Sequence, residues 1–340
     1  MDRTDAQTVV IADYDYGDVD IERAIIEAAG LRLRAAHCKT EDEVVDVARD
    51  ADAIIAQYAT VGEKAIAALT RCQVIARYGT GVDIVDVDAA TRHGILVTNV
   101  PNDWCENEVA DHAMALLLTL ARKIKAYDEA TRAGTWRWQT GAPIHRLRGS
   151  VAGLLSFGAI AQAIASRAAG FGMRVIAHDP YVPDADITAA GATPVSFGEL
   201  LEQADYLVIQ APLTADTHHL IGEEELRRMK HTAFLINTAR GPIVSDDALY
   251  RGLREGWIAG AGLDDLEEEP AKQRDWKPAN PLLTLPNAVI TPHAAYYSEE
   301  AIRTVRDFAA HEVVRVLTGQ RPLSPVNGQQ LAATYRHQRS

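Results

Sequence analysis

Short apolar runs alternate with helical segments in two blocks along the chain, and this alternation restricts the possible folds more than any other feature. In the first block, segments of helical periodicity such as Lys64–Leu69 separate the strand-like runs Val9–Ala12, Ala53–Ala56 and Val74–Arg77. Strands that alternate with helices form βαβ units, and βαβ units build parallel sheets. We therefore predict an α/β fold made of parallel sheets.

A long helical segment lies between the two blocks. Apolar residues from Val109 to Leu120 recur at helical spacing, so we predict one helix from Glu106 to about Thr131. A last helix is predicted over Glu299–Leu317, and the polar tail that follows it is expected to be loose at its end. The predicted strands of the second block are Val151–Leu155, Val175–His178, Tyr206–Gln210, Phe234–Asn237, Ile258–Leu263 and Ala288–Thr291.

Length and charge narrow the class of protein. A chain of 340 residues is expected to form about two domains. It carries 47 acidic and 34 basic residues, a net charge of −13, which argues against nucleic acid or an anionic membrane as its main partner. No apolar stretch is long enough to span a bilayer, and three widely spaced cysteines offer no disulfide framework or zinc motif. We expect a cytoplasmic protein without a bound metal.

A nucleotide-binding turn is predicted where the second block begins. The dinucleotide fingerprint G-x-G-x-x-G would fall on Ser156, Gly158 and Ala161, between a predicted strand and a helix. Gly158 leaves room for a pyrophosphate, and Ala161 permits close packing of helix on strand, but Ser156 departs from the pattern. By itself this signal is weak.

Asp179 strengthens that interpretation. It follows the predicted strand Val175–His178, about 20 residues after the turn, where a carboxylate accepts hydrogen bonds from the ribose hydroxyls of NAD. A carboxylate at that place also repels the 2′-phosphate of NADP, so we predict NAD as the cofactor. The alternative is a turn acid that precedes Pro180 and binds no ligand.

Three later segments place polar residues directly after strands. Open α/β sheets bind ligands at the carboxyl ends of their strands, and there the chain offers Arg240, a run of acids and His293. An arginine fork can hold a carboxylate, a histidine can donate a proton to a nascent alkoxide, and a carboxylate can keep that imidazole protonated. This trio suits the reduction of a 2-keto acid. Each residue alone has a structural alternative, and we expect Asp265, Glu267 and Glu268 to face the solvent.

Six motifs make the chain resemble the D-isomer-specific 2-hydroxyacid dehydrogenases over nearly its whole length. They are RYGTGVD (Arg77–Asp83), NEVADHAMALLL (Asn107–Leu118), HDPYV (His178–Val182), PLTADTHHLI (Pro212–Ile221), NTARGPIV (Asn237–Val244) and TPHAAYYSEEA (Thr291–Ala301). The last two are specific. Within the family, HAAYYS and the late PVN segment resemble the branch that contains the C-terminal-binding-protein corepressors.

The resemblance implies roles for individual residues. Arg240 would anchor the substrate, His293 would donate the proton, and Glu269, which directly precedes Pro270, would orient His293. The implied substrate-binding residues are Arg77, Thr80, Gly81, Arg240, His293 and Tyr296. The implied cofactor-binding residues are Ser156, Phe157, Gly158, Ala159, Ile160, Asp179, Pro180, Gln210, Ala211, Pro212, Thr217, Thr238, Ala239 and Asp264.

The resemblance also implies the architecture. Two Rossmann-like or flavodoxin-like parallel-sheet domains would flank a cleft. Residues 1–104 and 297–340 would form a discontinuous substrate-binding domain, and residues 105–296 an NAD-binding Rossmann domain. A homodimer joined through the NAD-binding domains is also implied, with the long helix and the region of Trp136 and Trp138 at the interface.

Three departures from the family pattern bear on function. Ser156 replaces the first fingerprint glycine and Ala159 replaces an arginine, which would lower the affinity for the pyrophosphate. Tyr296 stands where the corepressor branch has tryptophan, and this smaller aromatic would alter the substrate pocket. The segment Ala271–Asn280 is longer than expected and could act as a lid.

We therefore hypothesise an NAD-dependent dehydrogenase that reduces a small 2-keto acid to its D-2-hydroxy acid. One alternative is an NAD-gated binding or dimerisation module with vestigial activity, similar to the corepressors. Another keeps the chemistry but acts on a phosphate- or phosphonate-bearing 2-keto acid, for which Arg77, Arg146 and Arg148 would supply additional cations.

Overall fold

The computed structural model describes residues 6–101, 104–269 and 276–337, which divide into two compact units. The first unit contains residues 6–101, Trp104 and 298–337, and the second contains residues 105–269 and 276–297. Each unit is built around one sheet whose paired strands all run parallel. The predicted α/β class with two parallel sheets is confirmed.

The sheet of the first unit has five strands in the order β2-β1-β3-β4-β5. Alternate residues of β3 point into two separate cores, because Ile54 packs on one face of the sheet and Ile55 on the other. Burial on both faces is typical of parallel sheets that helices cover from two sides. The strands are β1 (Thr8–Ile11), β2 (Arg32–Ala35), β3 (Ala53–Ala56), β4 (Val74–Arg77) and β5 (Leu96–Thr98).

Helices supply the two covering layers of this sheet. Ile26 and Val305 belong to one core, whereas Val44, Ile66 and Ala89 belong to the other. The helices are α1 (Asp20–Ala28), α2 (Glu41–Ala48), α3 (Glu63–Ala68), α4 (Val87–Arg92), α12 (Glu299–Leu317) and α13 (Gly328–His337). The predicted bounds of the last long helix are those of α12.

The polar tail after α12 is anchored before α13 begins. Asn327 is fully buried, its Oδ1 accepts the Val97 N–H at 2.8 Å, and its Nδ2 donates to the Thr91 hydroxyl at 2.9 Å. A buried amide with its donors and acceptor engaged fixes the chain locally. The expectation of a loose end concerns the last residues, 338–340, which lie outside the described part of the chain.

The sheet of the second unit has seven strands in the order β12-β11-β10-β9-β6-β7-β8. The strand order reverses between β6 and β9, and open α/β sheets bind nucleotides at such a switch point. The strands are β6 (Val151–Leu155), β7 (Arg174–His178), β8 (Thr193–Pro194), β9 (Tyr206–Ile209), β10 (Phe234–Asn237), β11 (Gly260–Leu263) and β12 (Ala288–Ile290). Sequence periodicity did not predict β8, a two-residue edge strand that contains a proline.

The helices of this unit include one correction. The predicted helix from Glu106 to Thr131 ends instead at Ala121, because Lys123 adopts a left-handed φ of 54° and a separate helix then begins. The Lys123 ammonium lies 4.9 Å from the centre of the Phe234 ring, which holds this turn against β10. The helices are α5 (Glu106–Ala121), α6 (Ile124–Arg132), α7 (Ala159–Gly170), α8 (Asp184–Ala189), α9 (Phe197–Gln203), α10 (Glu223–Arg228) and α11 (Asp246–Glu255).

Among the described residues, no helix combines the length and the apolar character that crossing a lipid bilayer requires.

Candidate active site

The carboxyl ends of three neighbouring strands bring the predicted catalytic residues together. β10 pairs with β11, and β11 pairs with β12, so the last residues of the three strands lie side by side. The turn after β10 carries Arg240, the loop after β11 carries Glu269, and the loop after β12 carries His293. Sheet topology thus gathers residues that are more than fifty positions apart in the sequence into one place.

His293 is held by a carboxylate and by its own backbone. Its Nδ1 atom hydrogen-bonds Oε1 of Glu269, a side chain that is only 5% exposed. The ring of Tyr296 meets the imidazole edge-on at a centroid distance of 5.8 Å. His293 has a φ of 53°, rare for a residue other than glycine, and its N–H donates to the carbonyl oxygen of Asp264 at 2.7 Å. The ring nitrogen opposite the Glu269 bond is Nε2.

Asp264 fixes the loop that carries His293. Its carboxylate oxygens accept the N–H groups of the two residues after His293 at 2.9 and 2.8 Å, and the Thr291 hydroxyl donates to Oδ1 at 2.5 Å. His112 of α5 hydrogen-bonds that hydroxyl at 2.9 Å and lies 3.5 Å from the Asp264 carboxylate. Sequence reasoning assigned no site role to His112, because nothing in the helical pattern points to a partner 179 residues away.

The Arg240 turn is packed directly against the loop that carries Glu269. The Asn237 side chain closes the turn, since Oδ1 accepts the Ala239 N–H at 3.0 Å and Nδ2 donates to the Arg240 carbonyl at 2.8 Å. The next residue must be glycine: a Cβ atom on Gly241 would lie 1.9 Å from the Leu266 carbonyl oxygen. This close backbone contact fixes the position of the backbone from which the Arg240 side chain extends.

Asp265 is buried, and the prediction that it faces the solvent is wrong. Its side chain accepts the Gly241 N–H at 3.1 Å and the Leu266 N–H at 2.8 Å. Burial and the neighbouring Glu269 charge raise the pKa of Asp265 to about 6, against the opposing influence of His293 and Arg240. Sequence reasoning missed this because alternation cannot tell which acid of a loop turns inward.

The other two acids of that loop follow the prediction more closely. Glu268 is exposed, and Glu267 is half-buried and accepts a hydrogen bond from Nε2 of His219 at 2.6 Å.

Asp265, Glu269 and His293 form a compact acid–imidazole cluster. Each offers one oxygen or nitrogen atom, and these atoms lie within 4.8 Å of one another. The imidazole nitrogen is already engaged by Glu269, and the positive charge of Arg240 acts on Asp265. A metal ion bound to these atoms would have to break the hydrogen bond between His293 and Glu269, so we interpret the cluster as one that binds protons.

The predicted nucleotide turn lies between β6 and α7. Ser156 has a left-handed φ of 81°, the conformation that the first fingerprint glycine would adopt freely. Its hydroxyl donates to Asp179 Oδ2 at 3.1 Å, and the Phe157 N–H donates to the same oxygen at 2.8 Å. Partial burial opposes ionisation, but hydrogen bonds from Tyr181, Phe157 and Ser156 lower the pKa of Asp179. The carboxylate is therefore ionised and placed beside the turn.

The turn leaves open space beside Gly158. A Cβ atom built on Gly158 would meet no protein atom within 4 Å, and Gly158 directly precedes the 12-residue helix α7. Open space at the amino end of a helix, next to an ionised acid after the following strand, fits the pyrophosphate and ribose of NAD. Ala159 and Ile160 form the first turn of α7, where they contribute backbone N–H groups and no cation.

The remaining predicted cofactor residues follow β7, β9 and β10 at the same edge of the sheet. Nε2 of Gln210 donates to the Thr238 hydroxyl at 2.5 Å, which ties the two strand ends together. Farther along, the Thr217 hydroxyl donates to the Pro212 carbonyl at 2.6 Å and closes that loop. The other members of the predicted set at this edge are Pro180, Ala211 and Ala239.

Three predicted substrate-binding residues belong to the first unit. Arg77 is the last residue of β4, is buried, and hydrogen-bonds the Tyr78 carbonyl through Nη1. Thr80 and Gly81 follow in the next loop, where the Thr80 hydroxyl accepts from the Trp104 indole N–H at 3.1 Å. These residues also lie at the carboxyl end of a parallel strand.

Half of the predicted lid segment, residues 271–275, lies outside the described part of the chain. Residues 270–275, which include Pro270, are not described. The far end of the segment is fixed, because Nδ2 of Asn280 donates to the Asp246 carboxylate at 2.6 Å. The lid function stays a prediction.

A parallel sheet with a nucleotide turn at its switch point, beside an arginine and a carboxylate-bound histidine, defines a nicotinamide-dependent dehydrogenase. The chain belongs to the D-isomer specific 2-hydroxyacid dehydrogenase family, whose NAD binding domain matches residues 114–295. It is an NAD-dependent oxidoreductase that acts on 2-hydroxy acids, which confirms the resemblance to the family. The resemblance to the corepressor branch stays a prediction.

Known relatives agree with this assignment. A glyoxylate reductase from Korarchaeum cryptofilum is 38% identical over 288 residues, which cover 84% of this chain and 85% of the relative. A D-3-phosphoglycerate dehydrogenase from Methanocaldococcus jannaschii is 37% identical over 89% of this chain, but this covers 56% of that protein. The crystal structure of an Aquifex aeolicus D-lactate dehydrogenase complexed with NAD and lactic acid has a TM-score of 0.83 at 28% identity, covering 92% of this chain and 96% of that one.

Proposed function

We propose that the protein reduces a small 2-keto acid to the D-2-hydroxy acid. The supporting observation is the His293 imidazole bound to a buried Glu269 at the strand ends where Arg240 also lies. NADH supplies the hydride when bound. His293 gives a proton from Nε2 to the carbonyl oxygen as the carbonyl carbon gains the hydride, and water then returns the proton to the imidazole. Glu269 orients the ring, and Arg240 binds the substrate carboxylate.

The remaining site assignments are part of the same proposal. Arg77, Thr80, Gly81 and Tyr296 contact the substrate, and the residues of the nucleotide turn and of the loops after β7, β9, β10 and β11 contact NAD. The edge-on contact between Tyr296 and His293 supports a place for Tyr296 in the substrate pocket.

The position of Arg148 gives no support for a phosphate-bearing substrate. Arg148 packs against Gly172 at the amino ends of β6 and β7, where the Gly149 N–H donates to the Gly172 carbonyl. That edge is opposite the nucleotide turn, so Arg148 is not available to a substrate at the carboxyl edge. The names of the relatives make glyoxylate and pyruvate the first acids to test.

The test is a substrate screen. Purified protein with NADH is offered glyoxylate, pyruvate and a phosphate-bearing 2-keto acid, and the loss of nicotinamide absorbance is followed. We expect turnover with a small acid and, from pyruvate, a product of D configuration by chiral chromatography. An L product contradicts the stereochemical assignment. No turnover with any acid, together with dimerisation driven by NAD, would support the corepressor-like alternative instead.

A homodimer is part of the proposal, as is a cytoplasmic location. Trp136 is 88% exposed and Trp138 is 72% exposed in the single chain, close in sequence to α6, and such exposed aromatics are typical of interfaces. Sedimentation analysis of the protein and of a Trp136→Ser/Trp138→Ser variant tests this surface, since the variant is expected to sediment as a monomer.

A further inference from the structure

Asp265 is a buried acid that the proposed mechanism does not use, although it lies next to the reacting groups. It lies in the loop after β11, four residues before Glu269, and its side chain is buried. Its carboxylate, that of Glu269 and the His293 imidazole present atoms within 4.8 Å of one another. Two carboxylates on one imidazole are more than orientation of the ring requires, because the Glu269 bond alone fixes the tautomer.

Hydrogen bonds connect Asp265 to the substrate anchor. Its Oδ2 accepts the Gly241 N–H at 3.1 Å, directly after Arg240, and its Oδ1 accepts the Leu266 N–H at 2.8 Å. Gly241 cannot move toward this loop, since its α-carbon already lies against the Leu266 carbonyl. The Asp265 carboxylate therefore ties the turn that carries Arg240 to the loop that carries Glu269.

The charged groups around Asp265 do not balance one another. Asp265 and Glu269 contribute two negative charges when ionised, and Arg240 contributes one positive charge, so one further positive charge balances the group. The raised pKa of Asp265, about 6, indicates that the second negative charge is present above about pH 6. Among the described residues, the other titratable groups on the elements packed around this loop include His112, His219, Asp246, Asp264 and Glu267.

We propose that Asp265 is a positioning residue of the reduction, which holds the Arg240 turn in place and whose charge favours the protonated form of His293. The proposal rests on the proposed function for its kinetic consequence. Its electrostatic part concerns the imidazole alone and can be measured without any substrate.

The kinetic test separates charge from hydrogen bonding. Asp265→Asn removes the charge but keeps an oxygen acceptor, so we expect the alkaline limb of kcat/KM for keto-acid reduction to move to lower pH by about one unit. The corresponding pH limb of kcat/KM for hydroxy-acid oxidation must also move to lower pH. Glu268→Gln removes a charge from the same loop at an exposed position and is expected to leave both limbs in place.

A second variant tests the tie to Arg240. Asp265→Val removes the charge and the acceptor of the Gly241 N–H, so we expect the same limb shift together with a KM for the keto acid at least about tenfold higher than that of Asp265→Asn. A purely structural role predicts instead that Asp265→Asn restores the wild-type pH profile in full. That result would overturn the proposal.

NMR titration makes the test independent of turnover. Labelled histidine is followed in the wild type, in Asp265→Asn and in Glu268→Gln, and a His293→Gln variant identifies the signal. We expect the His293 signal to change at a lower pH in Asp265→Asn than in the other two proteins, and coincident curves reject the proposal. If the wild type reduces no 2-keto acid, the proposed function fails while this measurement still decides the role of Asp265.

Discussion

Each unit buries a cluster of charged side chains, and the two clusters differ in how completely their charges are paired. In the first unit, Arg306 donates to both oxygens of the fully buried Glu22 at 2.9 and 2.8 Å and to Asp18 at 2.7 Å. The Tyr78 hydroxyl donates to the same Glu22 at 2.8 Å. Burial opposes the charge of Arg306, but these bonds raise its pKa, and burial raises that of Tyr78 well above its usual value. Neither group changes protonation near neutral pH.

The cluster in the second unit is paired differently. Asp265 accepts hydrogen bonds from backbone N–H groups and faces a second carboxylate, Glu269, and its pKa rises to about 6 through burial and that neighbouring charge. A bidentate arginine fixes charge in the first cluster, whereas adjacent carboxylates leave one proton easily exchanged in the second. The same residue types thus give fixed charges in one unit and an acid with a pKa of about 6 in the other.

The largest expected effect is on turnover in the second unit. We expect His293→Ala and Arg240→Ala each to lower kcat/KM for the best keto acid by about 10²- to 10⁴-fold, because one removes the proposed proton donor and the other the proposed anchor. The free energy of unfolding should stay within about 1–2 kcal/mol of the wild type. Steady-state kinetics and urea unfolding measure the two quantities, and near-normal rates in either variant would remove the assignment of that residue.

The matching substitution in the first unit is expected to lower the free energy of unfolding instead. Arg306→Met leaves Glu22 buried without its cation, and we expect the free energy of unfolding to fall by about 3–5 kcal/mol. The double variant Glu22→Gln/Arg306→Met removes both charges and should recover much of that loss. Urea unfolding is the measurement, with kcat per folded molecule as the control. A single variant as stable as the wild type would show that Arg306 does not stabilise the buried Glu22 charge, which contradicts this difference between the two clusters.

The bounds of several strands were predictable from the sequence, because a strand buried on both faces appears in the sequence as a continuous apolar run. β3, β4, β6 and β10 have the predicted bounds for this reason. The break at Lys123 was not predictable, since it contains neither glycine nor proline and depends on a contact with Phe234, a residue of a distant strand. Tertiary contacts override local helical periodicity there.

The candidate site likewise contains residues that could be predicted from the sequence and residues that could not. Arg240 and His293 stand out in the sequence because they follow strands directly and lie in specific motifs. Asp265 and His112 do not, because their burial and their partners arise only when β10, β11, β12 and α5 pack together. Which acid of the loop turns inward is decided by the Gly241 N–H, a backbone group that has no signature in the sequence.

The third expected effect is a pH dependence of stability that arises from Asp265. Its pKa is about 6 in the folded protein against 3.8 for an ordinary aspartate, so the folded state holds this proton more tightly than the unfolded state. The stability that this proton gives is fully present below about pH 4 and is lost as the pH rises through about 6. Asp265→Asn does not titrate, so we expect its stability relative to that of the wild type to increase by up to about 3 kcal/mol from pH 4 to pH 8.

Urea unfolding of both proteins between pH 4 and 8 measures this difference. The gap between them should be smallest near pH 4, grow up to about pH 6 and stay constant above it. The control is Glu268→Gln, whose exposed charge should give no pH-dependent gap. A constant gap at all pH values would mean that the Asp265 carboxylate does not titrate in this range.

The smallest expected effect is on stability at the nucleotide turn. There the Asp179 carboxylate is held by hydrogen bonds, as Glu22 is in the first unit. Ser156→Ala and Ser156→Gly both remove the hydroxyl that donates to Asp179, but only glycine relieves the left-handed φ of 81°. We expect Ser156→Gly to be the more stable of the two by about 1 kcal/mol, because a side chain in this conformation costs about that much. Thermal unfolding without cofactor measures the difference.

Gly158→Ala is the matched variant for NAD binding. Its Cβ meets no protein atom within 4 Å, so the stability of the protein should change little while its affinity for NAD falls. Equal stability of the two Ser156 variants would show that the turn is not strained, and unchanged NAD affinity in Gly158→Ala would place the pyrophosphate elsewhere.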